Sequence, residues 1–221
     1  MLVLFDIDGT LVDTAGAGMT ALVETTTHFF GDPGPELDLA GSTDLGIIRG
    51  IHRHFEFETT EETIAQYFEH YEGRLTHQLK HGGFGGSTLP GALELVEHLH
   101  QLEAATIGLL TGNTEGGARV KCHHFGFGDY FHFGAYGSDH HDRNQLGPIA
   151  LERARAHNGR EHRVEQTWII GDTPKDIACA HAFGARCMAV TTGSFDRQQL
   201  ESHGADLVVD SLEEAASLLR A

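Results

Sequence analysis

Apolar and polar positions divide the chain into short buried runs and longer segments with helical spacing. The short runs are apolar or β-branched, as in buried strands, and lie at residues 2–5, 105–110, 132–135, 166–170, 186–191 and 206–209. The longer segments repeat apolar residues every three or four positions, as amphipathic helices do, and lie at residues 90–102, 145–157, 174–183 and 211–220. Because strands and helices alternate, the pattern predicts an α/β fold with parallel strands joined by helical crossovers.

Residues 15–85 interrupt this alternation, because three helical segments follow one another there with no strand between them. Glycine-rich stretches flank the block, AGAG at 15–18 and GGFGG at 82–86, and glycine permits the dihedral changes that a hinge needs. These stretches fit either a hinge or two ordinary surface loops. We therefore predict a core formed by residues 1–14 and 86–221 and an inserted helical domain formed by residues 15–85.

The amino-acid composition limits the kinds of molecule expected to bind this protein. The 221 residues include 32 acidic and 15 basic side chains, and a formal net charge of -17 repels phosphate backbones and anionic lipids. Neither nucleic acid nor a membrane is therefore expected as a partner, and an anionic ligand would need local positive charge in its site. The start MLVLF has no basic region, and the three cysteines have no CxxC spacing, so we expect a cytoplasmic protein. Its expected oligomeric state is a monomer or a homodimer.

Carboxylates and other polar residues follow three of the predicted strands. In open parallel sheets, ligands bind beyond the carboxyl ends of the strands, so these residues are candidates for one shared site. They are Asp6 and Asp8 after the first strand, Thr111, Gly112 and Asn113 after the second, and Asp172 and Asp176 after the fourth. Carboxylates buried together need a cation, and oxygen ligands suit Mg²⁺. We also expect donors at residues 111–113, at a helix N-terminus, to bind phosphate oxygens.

Three of these stretches resemble a known family. DIDGTLVDT, LLTGN and GDTPKD are similar to the first, second and fourth motifs of the haloacid dehalogenase-like hydrolase superfamily, in the same order. The combination of LPGALELVEHLHQL with LLTGN most resembles its phosphoglycolate phosphatase and β-phosphoglucomutase branch. The resemblance implies a Rossmann-like parallel-sheet core with a helical cap of the C1 type inserted after the first strand.

The resemblance also implies roles for the carboxylates. Asp6 would attack phosphorus and form an aspartyl phosphate, while Asp8 would protonate the leaving alcohol and later deprotonate the attacking water. Neighbouring carboxylates can divide their pKa values in this way. Mg²⁺ would be held by Asp6, the backbone carbonyl of Asp8 and Asp172, with Asp176 supporting the site, and Thr111 would hold the phosphoryl group.

The third motif departs from the family pattern, which usually supplies a lysine between the second and fourth motifs. The only lysine in that interval, Lys121, falls too early, within the helix that follows LLTGN. We assign the role to Arg143, in SDHHDRNQLGPIALERA, because its guanidinium can bind phosphate oxygens. The alternative is that Lys175 or another group supplies this charge.

A turn in the insertion, AGSTDLGIIRG, resembles the cap loop that enters the active site in this branch. Its candidates for substrate contact are Ser42, Thr43, Asp44 and Arg49, although STD is equally good as a helix N-cap. The sequence thus predicts a Mg²⁺-dependent phosphatase for small phosphomonoesters, with phosphoglycolate-like compounds first. The alternatives are a sugar phosphomutase and a non-catalytic protein that binds a phosphorylated metabolite.

Overall fold

The structure is a computed structural model that describes residues 1–36 and 38–218. The strands are β1 (Leu2–Phe5), β2 (Val12–Asp13), β3 (Ser87–Thr88), β4 (Thr106–Leu110), β5 (Gly134–Ala135), β6 (Thr167–Gly171), β7 (Arg186–Val190) and β8 (Leu207–Val209). The helices are α1 (Ala17–Phe30), α2 (Asp44–His54), α3 (Glu61–His81), α4 (Ala92–Gln101), α5 (Glu115–His124), α6 (Leu146–Asn158), α7 (Pro174–Ala182), α8 (Arg197–Ser202) and α9 (Leu212–Leu218).

Six strands form one parallel sheet in the order β5-β4-β1-β6-β7-β8, which confirms the predicted α/β fold. Strand β1 lies inside the sheet, paired with β4 on one side and β6 on the other. Its side chains alternate between two hydrophobic clusters, with Val3 and Phe5 in one and Leu2 and Leu4 in the other. Both faces are therefore covered, which explains the unbroken apolar run of β1. The carboxyl ends of β1, β4 and β6 consequently lie side by side.

Helices α1, α2 and α3 form the helical insertion, with an apolar cluster of their own that includes Ile48, Ile51 and Leu75. The chain leaves the core after β2 and returns through β3, and these two strands pair antiparallel, Val12 with Thr88. The predicted division of the chain, at residues 14 and 86, lies next to this pair.

Some elements differ from the sequence prediction. Strands β2, β3 and β5 each have two residues, too few for a periodic pattern to predict, and β5 covers only half of the predicted 132–135. Helix α8 is short and polar and begins with a capping box at Asp196. The predicted helix 211–220 corresponds to α9 up to Leu218, and its last two positions lie outside the described residues. Within the described residues, no helix combines the length and apolar character needed to span a bilayer.

Candidate active site

Asp6 directly follows β1 and is held by the sheet. Its backbone N–H donates to the carbonyl of Ile170 in β6 at 2.9 Å, and its side chain is buried. The chain turns away at Gly9, whose φ of 76° lies in the left-handed region. A Cβ at Gly9 would lie 2.3 Å from Asp172 Oδ2. Glycine at this position therefore allows both the turn and the approach of Asp172 to the end of β1.

Three buried carboxylates meet at this edge of the sheet. Oxygens of Asp6, Asp172 and Asp176 lie within 4.8 Å of one another. Burial raises the pKa of Asp6 to about 6, although the Arg143 charge opposes the shift. Burial and the charges of Asp176 and Asp6 raise the pKa of Asp172 to about 8. The cluster thus resists full ionisation without a further cation, and its oxygen donors fit the ligand preference of Mg²⁺.

Arg143 lies beside this cluster and is itself buried. Its guanidinium Nη2 lies 2.5 Å from Asp176 Oδ1 and 3.3 Å from Asp6 Oδ2. The alternative cation, Lys175, is bonded instead to Asp38 Oδ2 at 2.9 Å and does not line the site cavity. The geometry therefore brings Arg143, and not Lys175, to the carboxylate predicted to be the nucleophile.

Asp176 supports the cluster from the start of α7. Its Oδ2 accepts hydrogen bonds from the backbone N–H and the hydroxyl of Thr173, at 3.0 and 2.7 Å, in a reciprocal capping box. Its Oδ1 accepts from Arg143. Both oxygens of Asp176 are thus already hydrogen-bonded, whereas Asp172 accepts one side-chain bond, from Thr10 at 3.1 Å. Asp176 is therefore better placed to hold Arg143 and the helix end than to bind a metal directly.

The Asp8 carboxylate lies apart from the three-carboxylate cluster and has different partners. Lys121 Nζ donates to Asp8 Oδ1 and Oδ2 at 2.7 and 2.6 Å, and Asn113 Nδ2 donates to Oδ2 at 2.8 Å. The Lys121 side chain is 4% exposed, whereas that of Asp8 is 44% exposed. Asp6 and Asp8 are therefore two carboxylates in distinct environments, one buried with Arg143 and one held by Lys121 at the cavity surface.

The contact of Lys121 with Asp8 was not predicted, because the sequence suggested Lys121 only as a candidate for the third motif. The structure brings Lys121 to Asp8 and leaves the position beside Asp6 to Arg143. A signal for it exists in the sequence, since Lys121 lies on the face of α5 that also carries the buried Ala118 and Cys122. A lysine in an apolar stripe needs a buried partner.

The segment after β4 differs in part from the prediction. Thr111 is buried, and its Oγ1 accepts from Asn113 Nδ2 at 2.8 Å. The backbone N–H of Thr111 donates to Ala135, and that of Asn113 donates to Thr111 Oγ1. Helix α5 begins only at Glu115, with Thr114 as its N-cap. The N–H groups of Thr111 and Asn113 are therefore used within the fold, and residues 111–113 precede the helix rather than begin it. Phosphate binding by residues 111–113 stays a prediction.

The four predicted contacts from the insertion lie in different places. Ser42 lines the cavity, and its Oγ accepts from Lys175 at 2.7 Å. Thr43 is the N-cap of α2 and donates to the carbonyl of His141 at 2.8 Å, so its role here is to cap the helix and contact the core. Arg49 is not among the residues that line the cavity. Ile47 and Ile48 of α2 line the cavity, and Arg49 is the next residue of the helix. Arg49 therefore lies about 100° further around the helix axis than Ile48, away from the face that lines the cavity.

Asp44 does line the cavity and also joins the insertion to the core. Its backbone N–H donates to the Gly112 carbonyl at 2.7 Å, and its Oδ2 accepts from the Thr114 N–H at 2.7 Å. The Thr114 hydroxyl in turn donates to Glu72 of α3 at 2.7 Å. Burial raises the pKa of Asp44 to about 6, against the lowering effect of the Lys121 charge. Residues of the insertion and of the core together line a cavity of about 550 Å³ next to the carboxylates.

A family model described as haloacid dehalogenase-like hydrolase matches residues 3–190 of this chain. The chain belongs to the haloacid dehalogenase-like hydrolase family. A curated relative, phosphoglycolate phosphatase 1 of Pseudomonas aeruginosa, is 26% identical over 96% of this chain and 77% of its own length. A crystal structure of a hydrolase from Pseudomonas syringae has a TM-score of 0.74 at 19% identity, covering 100% of this chain and 98% of that one. The crystal structure of CbbY from Rhodobacter sphaeroides in complex with phosphate has a TM-score of 0.74 at 20% identity, covering 96% and 95%.

Proposed function

We propose that this family member is a Mg²⁺-dependent phosphatase that hydrolyses small phosphomonoesters through an aspartyl phosphate at Asp6. The observation that carries the proposal is the contrast between two carboxylates only two residues apart. Asp6 is buried beside Arg143, whereas Asp8 is partly exposed and bonded to Lys121 and Asn113. Phosphoryl transfer through an aspartate needs both environments, one for the nucleophile and one for the residue that handles the proton.

In this mechanism, Asp6 attacks phosphorus, the bond to the alcohol oxygen breaks, and Asp8 donates its proton to that oxygen. Asp8 then removes a proton from water, which attacks the aspartyl phosphate, releases inorganic phosphate and restores Asp6. The buried guanidinium of Arg143 stabilises negative charge on the transferring group. Its Nε has no hydrogen-bond partner in the described part of the chain. Thr111, next to Asp6, is the proposed hydroxyl donor to the phosphoryl group.

The three-carboxylate cluster supports the proposed metal. Asp6 and Asp172 would bind Mg²⁺ through their carboxylates, together with the backbone carbonyl of Asp8, and Asp176 would support them from behind. When bound, Mg²⁺ offsets the charge of the phosphoryl oxygens and of the carboxylates around it. Burial and the neighbouring carboxylates raise the pKa values of Asp6 and Asp172, and a bound cation would favour their ionised forms.

Phosphate release from a panel of esters tests the proposal. The panel contains 2-phosphoglycolate, the ester named by the curated relative, as well as sugar phosphates, alkyl phosphates and nucleotides, each assayed with Mg²⁺ and with EDTA. We expect Mg²⁺-dependent release that is lost in Asp6→Asn. Release that persists in Asp6→Asn at the wild-type rate contradicts the proposal, and release from no ester makes glucose 1-phosphate isomerisation the next assay.

A further inference from the structure

The helical insertion forms one side of the cavity, and this side is largely apolar. Its larger lining residues include Met19, Leu22, Ile47, Ile48, Phe68 and Tyr71. Among the described residues of the insertion that line the cavity, Asp44 is the one charged side chain. The part of a substrate that contacts the insertion therefore meets apolar surface and a carboxylate.

On the core side of the described cavity lining, no unpaired basic side chain is available to bind a second negative charge of the substrate. Lys121 and Arg143 are the two basic residues in the described lining, and both are already paired. The three donors of the Lys121 ammonium have three acceptors, the two Asp8 oxygens and Asn113 Oδ1, the last at 2.6 Å. Arg143 is bonded to Asp176 and lies next to Asp6.

The lining as a whole is strongly acidic. Five carboxylates belong to it: Asp6, Asp8, Asp13, Asp44 and Asp172. The proposed Mg²⁺ and Arg143 would offset negative charge on a phosphoryl group and on the carboxylates of Asp6 and Asp172 beside it. A second negative charge, carried by the alcohol half of the ester, would lie towards Asp8 and Asp44 without a partner.

We propose that the alcohol half of the substrate is uncharged and in part apolar, so that the enzyme disfavours esters with a second anionic group, 2-phosphoglycolate among them. This inference rests on the proposed phosphatase function. An unpaired carboxylate in the cavity is repelled by Asp44 and loses its hydration, whereas an apolar segment gains by burial against the insertion. Repulsion of the wrong ligand is an established way to build specificity.

A pair of isosteric esters tests the inference. 2-Phosphoglycolate and its amide, glycolamide phosphate, differ in the charge of one group, and propyl phosphate adds an apolar comparison. We expect kcat/KM for the amide to exceed that for the acid by roughly tenfold at about pH 7.5, where Asp44 is ionised. Asp44→Asn keeps an acceptor for the Thr114 N–H and removes the charge, so the ratio should fall in this variant.

Asp32→Asn is the matched control, because Asp32 is an exposed residue of the insertion outside the cavity lining. It should leave the ratio unchanged. A wild-type kcat/KM for the acid equal to or above that for the amide overturns the inference. Calorimetric titration of Asp6→Asn with both compounds separates this result from a failure of the phosphatase function. If wild type releases phosphate from no ester, tighter binding of the amide still supports the inference, and tighter binding of the acid overturns it.

Discussion

Removal of Arg143 should destabilise the fold in a way that depends on pH and Mg²⁺. Arg143→Met leaves three buried carboxylates within 4.8 Å of one another without the guanidinium that lies between Asp6 and Asp176. Loss of one partner from a buried ion pair costs about 3–5 kcal/mol. For a chain of 221 residues, about 1 kcal/mol lowers Tm by roughly 2–4 °C, so we expect a fall of at least roughly 6 °C.

The sign of the pH dependence follows from the carboxylates. Burial already raises the pKa of Asp172 to about 8 and of Asp6 to about 6, and the Arg143 charge lowers both values. Without Arg143 these pKa values rise further above the unfolded value of 3.8. A carboxyl with a raised folded pKa contributes stability that is complete below the unfolded pKa and is lost as pH rises through the folded pKa. The free energy difference between wild type and Arg143→Met should therefore be larger at about pH 8 than at about pH 5.

Urea unfolding at these two pH values, with EDTA and with Mg²⁺, measures the effect. Arg143→Lys restores a charge but not the planar fork, so it should recover only part of the stability. Arg119→Met is the control, because Arg119 forms an exposed pair with Glu115 on α5 and should cost within about 0.5 kcal/mol. Equal destabilisation by Arg143→Met at both pH values, in EDTA, would refute this account of the cluster.

Three further predictions concern the same site. In EDTA, the free energy of unfolding of the wild type should fall from about pH 4 to about pH 8, because burial and neighbouring carboxylates raise the pKa of Asp172 to about 8. Mg²⁺ should make this fall smaller. A free energy of unfolding that rises over this range in EDTA contradicts the prediction. Lys121→Met should lower kcat by on the order of tenfold or more in steady-state assays, because Asp8 loses the ammonium that orients it, and an unchanged kcat refutes that role. Gly193→Ala should weaken Mg²⁺ binding in a calorimetric titration, because its Cβ would lie 1.8 Å from Asp172 Oδ2, whereas Gly73→Ala, with open space around it, should leave the affinity unchanged.

The parallel sheet and its acidic edge could be predicted because both follow from local patterns. Strands buried on both faces leave unbroken apolar runs, as in β1, and the topology of parallel strands places the residues after them at one edge. Asp6, Asp172 and Asp176 meet there for this reason. The two-residue strands carry no such signal.

Contacts that depend on packing between distant elements could not be predicted in this way. Lys121 reaches Asp8 because α5 packs beside the first motif, across 113 positions of sequence. The place of Arg49 outside the cavity lining, and the bond between Ser42 and Lys175, depend on how the insertion docks on the core. Hydrophobic periodicity specifies the face that a helix buries but not the partner that this face meets.

Trapping the phosphorylated enzyme tests the central claim most directly. Asp8→Asn should still accept a phosphoryl group from p-nitrophenyl phosphate, whose leaving group needs no proton, but should hydrolyse the intermediate slowly because it lacks the base. After rapid acid quenching, peptide mass spectrometry should find the phosphoryl group on Asp6. A variant with both Asp8→Asn and Asp6→Asn should carry none. Phosphate on another residue, or none on Asp8→Asn despite release of p-nitrophenol, would contradict the proposed mechanism.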